Sequence, residues 1–147
     1  MGYTHYWTSE KIGKEDWAKF TEIAGEIITE HRDILCFEYD KPDKPLVCDD
    51  KQIRFNGKGN DGYETFEITT NGGRNSCKTN RKPYDLPVVK ILLAFKYVLK
   101  DRCNVSSDGY ADEQWSNWQD AIGWFNEKYD AMLINKRGKI KVCKVEI

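Results

Sequence analysis

The sequence predicts an α+β protein, a ferredoxin-like split βαβ sandwich with an added C-terminal helix and β-hairpin. Strand-like and helical segments follow one another in the order β-α-β-β-α-β, which is the order of that sandwich. Hydrophobic residues make up 39% of the chain, enough to form a buried core. The 147 residues fit a single domain, and we therefore assign residues 1–147 to one α+β domain.

The first half of the predicted sandwich contains a strand, a helix and a hairpin. Residues 2–9 (GYTHYWTS) are rich in aromatic and β-favouring residues and predict the first strand. Apolar residues recur at helical spacing from Lys14 to His31 and predict an amphipathic helix. After a proline-containing loop at 40–45, the runs 51–57 and 63–69 are joined by Gly and Asn residues, which favours a hairpin.

The second half begins with the segment GGRNSCKTNRKPYD. The predicted elements are a loop (71–84), a helix (86–101), a strand (103–107), a helix with its apolar stripe from Trp115 to Tyr129, and a hairpin around 136–138. The helix at 86–101 is apolar on nearly every side, which predicts that it is central and widely covered. Asp85 is the expected N-cap of this helix.

Charge is unevenly distributed along the chain. The net charge is −1, so no overall basic field attracts nucleic acid or membrane. Residues 1–50 carry six basic and twelve acidic side chains, whereas residues 51–106 carry eleven and five. This asymmetry predicts a dipolar surface whose positive pole lies in the middle third of the chain.

The composition also indicates in which cellular compartment the protein lies and whether it binds a metal or cofactor. The N-terminal residues lack a basic and apolar signal sequence, and no apolar run approaches the ~20 residues of a membrane span. We expect a cytoplasmic protein without membrane contacts. The five cysteines include no C-x-x-C pair and the chain has two histidines, so we expect reduced thiols, no metal site and no cofactor.

Two glycine-containing runs resemble nucleotide-binding motifs. Residues 72–79 match a P-loop except that Cys77 replaces the second glycine, and the following helix begins only near Asp85. Residues 57–62 (GKGNDG) match G-x-G-x-x-G, but a strand follows them where a dinucleotide-binding motif requires a helix. We therefore interpret neither run as a nucleotide-binding loop, and the second as a hairpin turn.

The predicted strand directions bring several polar segments to one end of the sandwich. The start of the first strand, the 71–84 loop, the start of the second helix and the end of the 103–107 strand would meet there. The candidate ligand-binding residues at this end are His5, Lys78, Arg81, Lys82, Tyr84, Ser107 and Asp108. A helix N-terminus with nearby Lys and Arg favours an anion. The alternative interpretations are that the basic loop is only a solvated surface, that His5 is a packed residue, and that residues 107–109 form only a turn.

Five segments resemble those of a family of small proteins found in bacteria and their phages. They are GYTHYW, IRFNGKG, ETFEI, CKTNRKPYD and SSDG, and they span residues 2–109. The acidic insert at 38–50 and the C-terminal hairpin are less typical of the family. The resemblance implies a phage or bacterial accessory protein, located in the host cytoplasm if phage-encoded, and transfers no catalytic residue to this chain.

The leading functional hypothesis is a non-enzymatic binding protein, a phage-encoded accessory protein or inhibitor of host defence. Its basic loop would engage an anionic small molecule, a nucleic-acid backbone or an acidic patch on a host protein. One alternative is an enzyme acting on a nucleotide or phosphoester, with His5 or Asp108 as acid or base. Another is a structural protein that pairs the edge of its C-terminal hairpin into a homo-oligomer.

Overall fold

The computed structural model describes residues 3–143, which contain both helices and strands. The strands are β1 (Thr4–Ser9), β2 (Leu35–Cys36), β3 (Val47–Cys48), β4 (Gln52–Gly57), β5 (Phe66–Thr69), β6 (Gly73–Lys78), β7 (Cys103–Ser107), β8 (Leu133–Lys136) and β9 (Lys139–Val142). The helices are α1 (Lys14–His31), α2 (Asp85–Leu99) and α3 (Trp118–Tyr129). The predicted α+β class is confirmed.

The larger sheet has five antiparallel strands in the order β6-β1-β7-β9-β8. Thr4 pairs with Lys78 and His5 with Ser107, so the start of β1 lies beside the ends of β6 and β7. Successive side chains of a strand point to opposite faces. His5 and Trp7 are accordingly buried, whereas Tyr6 between them is exposed.

The second sheet contains β2, β4 and β3 in that order, with β5 also pairing with β4. The predicted hairpin is therefore formed, by residues 52–57 and 66–69. Its strands lie in this second sheet, whereas the ferredoxin-like prediction put both of them in one sheet with β1. The place beside β1 is taken by β6.

Two boundaries in the second half differ from the prediction. Residues 73–78, predicted as part of a loop, form β6, an edge strand in which only Cys77 is buried. One buried apolar residue produces no alternating pattern, so the sequence contains no strand signal there. The third helix begins at Trp118, and Trp115, predicted to lie in its apolar stripe, is 66% exposed.

A continuous apolar core joins the sheets and helices. The rings of Trp7 and Phe66 lie 5.1 Å apart and connect the two sheets, while those of Phe20 and Phe95 connect α1 to α2 at 5.2 Å. Helix α2 is buried almost throughout, as its apolar composition predicted. No helix between residues 3 and 143 is both long and apolar enough to span a membrane.

Candidate functional site

A buried polar network lies at one end of the five-stranded sheet. Its members come from β1, β7, α2, the segment before α2 and the start of α3; they are His5, Thr79, Asp85, Ser107, Asn117 and Trp118. His5 is 0% exposed and Asp85 is 1% exposed. The strand directions predicted from the sequence thus bring the start of β1, the end of β7 and the start of α2 together.

The partners of Ser107 determine the protonation of His5. Ser107 Oγ accepts hydrogen bonds from the Gly109 amide and from Trp118 Nε1, both at 2.9 Å. These two donors occupy both lone pairs of the hydroxyl oxygen, so its proton is donated to His5 Nδ1, at 2.7 Å. Nε2 of His5 then carries the ring proton and donates to Asp85 Oδ1 at 2.6 Å. The imidazole is therefore neutral, with its tautomer fixed by Ser107.

Asp85 is the acceptor on which the network converges. Oδ1 accepts hydrogen bonds from His5 and from the Thr79 hydroxyl, and Oδ2 accepts one from Asn117 Nδ2 at 2.8 Å. Burial opposes ionisation, but the hydrogen bonds from His5, Thr79 and Asn117 to the carboxylate lower the pKa of this carboxyl. Asp85 is the first residue of α2, and the expected capping role is wrong because its side chain turns into the interior.

The order Ser107–His5–Asp85 is that of a hydrolase triad, but here the three groups hold the structure together. Both lone pairs of the Ser107 oxygen are engaged, and all three residues are buried, so a substrate carbonyl has no approach to the hydroxyl. Cys77 lies opposite His5 on β6, where burial raises the pKa of its thiol to about 12. That thiol stays protonated at neutral pH and does not act as a nucleophile.

The network fixes the backbone that follows Thr79. The amide of Asn80 donates to the Tyr3 carbonyl at 3.3 Å, and that of Lys82 to the Thr79 carbonyl at 3.0 Å. Asn80 and Arg81 have φ angles of 52° and 59°, in the left-handed region. Each such non-glycine residue costs about 1–2 kcal/mol. The hydrogen bonds on either side, including Thr79 to Asp85, offset this strain.

The residues held in this way form a cationic surface loop. We name residues 78–82 the basic loop. The side chain of Arg81 is exposed, and its guanidinium carbon lies 4.3 Å from the centroid of the Tyr3 ring. Lys78 Nζ lies 5.5 Å from the centroid of the Tyr63 ring. The basic loop thus carries three cations over five residues, and two of them lie beside aromatic rings.

A depression of about 420 Å³ adjoins the basic loop. Its lining includes Asn80 and Lys82 from the loop and two exposed tyrosines, Tyr39 (52%) and Tyr63 (42%). Glu64 also lines it, and Oε1 of its carboxylate accepts a hydrogen bond from the Lys78 amide at 2.6 Å. The depression therefore combines aromatic surface, amide groups and a cation.

The glycines of the 57–62 run are explained by close packing of a turn. A Cβ on Gly57 would lie 2.3 Å from the Asp61 carbonyl oxygen, and one on Gly62 would lie 2.4 Å from that of Gly57. Only glycine permits these approaches. The predicted turn is formed, as a short 3-10 segment at Gly59–Asp61.

The predicted site residues divide into a surface group and a buried group. Lys78, Arg81, Lys82 and Asp108 are exposed or half-buried. Asp108 Oδ2 accepts a hydrogen bond from the Thr4 amide at 3.0 Å.

The buried group is His5, Tyr84 and Ser107, and a ligand on the surface does not reach these side chains. His5 and Ser107 belong to the network. Tyr84 instead supports the depression, because its hydroxyl donates to the Glu64 carbonyl at 2.5 Å.

Three residues of this region were not among the predicted site residues: Thr79, Tyr39 and Tyr63. Thr79 lies in the segment predicted as a loop, and its burial depends on the contact of its hydroxyl with Asp85, which no sequence pattern indicates. The two tyrosines carry no sequence signal, since their exposure depends on how the second sheet packs.

No protein-family model, curated protein or solved structure matches the chain. Within residues 3–143, no three His, Cys, Asp or Glu side chains are grouped to hold a metal ion. Function is therefore inferred from the geometry of the basic loop and its surroundings.

Proposed function

We propose that the chain is a non-enzymatic binding protein that engages an anionic ligand through the basic loop. The observation that carries this proposal is the strained backbone of Asn80 and Arg81, two successive non-glycine residues whose φ angles lie in the left-handed region. Backbone strain of this kind persists where surrounding contacts determine the conformation, and it clusters at binding sites. The buried hydrogen bonds of Asp85 and Thr79 supply those contacts.

The chemistry around the loop favours a nucleotide among anionic ligands. The cations Lys78, Arg81 and Lys82 suit a phosphate group. Tyr39 and Tyr63 offer exposed rings at the adjoining depression, and a base stacks on such rings. Oε1 of the Glu64 carboxylate, which also lines the depression, accepts a hydrogen bond from the Lys78 amide.

We favour binding over turnover because the candidate acid and base are already engaged. The neutral His5 donates to Asp85 and accepts from Ser107, which leaves neither ring nitrogen free for a substrate. Asp108 is exposed but accepts a hydrogen bond from the Thr4 amide. A binding protein needs no further group.

The test is a calorimetric titration of the protein with a panel of nucleotides and inorganic phosphate. The double substitution Arg81→Ala with Lys82→Ala is expected to abolish binding, because it removes two of the three cations. The melting temperature should change little, since surface substitutions usually alter stability by about 0.5 kcal/mol or less and loss of the Tyr3 contact adds about 0.5–1 kcal/mol.

Lys14→Ala with Lys19→Ala on α1 is the matched control and should leave binding unchanged, because both lysines are exposed on a helix outside the basic loop. Binding retained by the loop variant would remove the proposed site. The recovered nucleotide should be intact by chromatography, whereas a new product would identify an enzyme instead.

The resemblance to small bacterial and phage proteins supports an accessory role for this binding. In that role the protein would block or sequester a component of host defence in the host cytoplasm. Native mass spectrometry of the protein purified from its own host is expected to show a co-purified anionic ligand or partner. Recovery of the bare chain alone would argue against sequestration.

We further propose that the five-stranded sheet is related to a ferredoxin-like sandwich. Strands β6 and β7 are connected through α2 and lie on opposite sides of β1, to which both are antiparallel. This split βαβ unit supports the relation. Strands β9 and β8 then extend the sheet beyond β7.

A further inference from the structure

The face of the five-stranded sheet turned away from the core is cationic. We name it the open face and define it by Tyr6, Arg74, Lys78, Lys136, Lys139 and Lys141. Its remaining members on the five strands are short Ser, Thr and Asn side chains and one Ile. None of these side chains is buried.

Strand register determines which residues share this face, because directly opposed residues point to the same side. On β6, Arg74 is opposite Thr8 and Lys78 is opposite Thr4, in step with Tyr6 on β1. Ser106 on β7 is opposite both Tyr6 and Lys139, and Lys139 is also opposite Lys136. The intervening positions, such as His5, Trp7 and Ile140, are buried on the other side.

Charge is segregated on this face in a way that folding does not require. Five of its outward positions are Lys or Arg and none is Asp or Glu, in a chain whose net charge is −1. Lys136 and Lys139 are directly opposed, and like charges in that position destabilise a sheet. Two carboxylates, those of Asp101 and Asp108, lie just outside the ends of β7. The arrangement is complementary to a polyanion.

Tyr6 places an aromatic ring among these cations. It lies on an interior strand, is 42% exposed, and has small serines, Ser76 and Ser106, on its two neighbours. An exposed ring on the face of an antiparallel sheet is a platform on which an unpaired base stacks. Hydrophobic burial does not account for its position, since the ring points away from the core.

A groove of about 560 Å³ continues the face between β7 and β9. The strands pair at only two positions, and the gap beyond them is lined by Asn104, Ser106, Lys139, Lys141 and the C-terminal end of α2. Lys100 adds a further cation, and Asp101 is the carboxylate there. The groove offers hydrogen-bond donors beside cations, which suits a phosphodiester backbone.

We propose that the open face binds a single-stranded nucleic acid, with a base stacked on Tyr6 and phosphates on the surrounding cations. The strand must be single because a base reaches a sheet face only when it is unpaired and turned outward. This inference does not depend on the basic loop. The two surfaces meet at Lys78, which belongs to both.

The test is a fluorescence-anisotropy titration with labelled single-stranded oligonucleotides of about 12 nucleotides, one RNA and one DNA. The wild-type protein is expected to bind saturably at low salt. The logarithm of the binding constant should fall against the logarithm of salt concentration with a slope of roughly −3, since each single-strand phosphate contact contributes about −0.7.

Charge-reversal variants test whether oligonucleotide affinity depends on the open face or on the charge of the surface in general. Lys139→Glu with Lys141→Glu should lower affinity by at least about tenfold and make the slope shallower by about 1.4. Lys14→Glu with Lys19→Glu on α1 gives the same change of net charge away from the face. An equal loss in this control would overturn the assignment.

Substitution of Tyr6 tests stacking separately from charge. Tyr6→Val keeps a strand-favouring residue but removes the ring, and should lower affinity about tenfold with the salt slope unchanged. Tyr6→Phe should retain wild-type affinity. Failure of the wild type to bind either oligonucleotide at low salt, or equal affinity for a duplex of the same length, would contradict the proposal.

The basic-loop variant keeps the two proposals distinguishable. Arg81→Ala with Lys82→Ala should still bind the oligonucleotide, because neither residue lies on the five strands. Loss of oligonucleotide binding in this variant would assign the nucleic acid to the basic loop and overturn an independent face. Oligonucleotide binding without nucleotide binding would support the face and remove the loop site.

Discussion

At the residue scale, Asp85 is the group on which the site depends most. Its carboxylate accepts from the ring of His5, from Thr79 and from Asn117, and so joins β1, the basic loop and the start of α3 to α2. A buried carboxylate is costly unless it is hydrogen-bonded in this way. The same bonds keep the chain after Thr79 in the conformation that exposes Arg81.

Replacing Asp85 by Asn should destabilise the protein by roughly 2–4 kcal/mol near neutral pH, because the amide nitrogen then faces a donor. The lowered pKa of Asp85 fixes the pH dependence. A carboxyl with a depressed folded-state pKa contributes stability above its ordinary value, near 3.9, and loses it as pH falls through the folded pKa.

Urea unfolding curves recorded across this pH range measure the effect. The gap between wild type and Asp85→Asn should therefore narrow below about pH 4. Asp108→Asn, at an exposed carboxylate, is the control and should change stability little. A gap that is constant with pH would mean that Asp85 is not ionised in the folded protein.

At the element scale, β6 is the edge strand that pairs with β1. Its sequence, GRNSCK, contains one buried apolar residue because the strand is at an edge and its other face is open. The strand is preceded by Gly72, whose φ is +71°. A Cβ on this residue would lie 2.3 Å from the Glu10 carbonyl oxygen. Gly73, with φ +92°, has open space around it.

These two glycines give a matched pair of substitutions. Gly73→Ala should cost about 1 kcal/mol through the left-handed backbone alone. Gly72→Ala should cost roughly 1–3 kcal/mol more, because the added methyl group also displaces the backbone at the end of β1. Chemical denaturation of both variants measures the difference. Equal costs would show that β6 does not approach residues 9 and 10 as described.

The predictability of the elements follows from how much apolar pattern each one carries. Helix α1 and the β4–β5 hairpin were predicted to within three residues at each end, because each has a full apolar stripe or alternation. The open face leaves β6 without such a pattern. The start of α3 was misplaced because Trp115 continues the helical spacing although it lies outside the helix.

The sequence predicted which residues of the candidate site come together, because this depends only on the directions of the strands. Reversal of the chain between β1, β6 and β7 brought His5, Asp85 and Ser107 to one end of the sheet. Which of these residues are buried is a property of packing, because it depends on the first turn of α3, where Trp118 covers Ser107. The sequence alone does not contain that covering contact.

At the scale of the whole molecule, charge is organised by faces rather than by thirds of the chain. Residues 107–147 carry six basic and seven acidic side chains. The net charge of this segment therefore does not indicate that β8 and β9 are rich in lysine. Strand alternation then concentrates Lys136, Lys139 and Lys141 on the open face. With the basic loop, that face gives the protein a cationic side that its net charge does not indicate.

The central claim is that this end of the molecule binds an anionic ligand through the basic loop. The most direct measurement is a titration of ¹⁵N-labelled protein with ATP, followed by amide chemical shifts. We predict saturable shifts at Asn80, Arg81, Lys82 and Tyr63, and none along the exposed surface of α1. Shifts that are absent at the basic loop, or that are confined to other parts of the chain, would contradict the account.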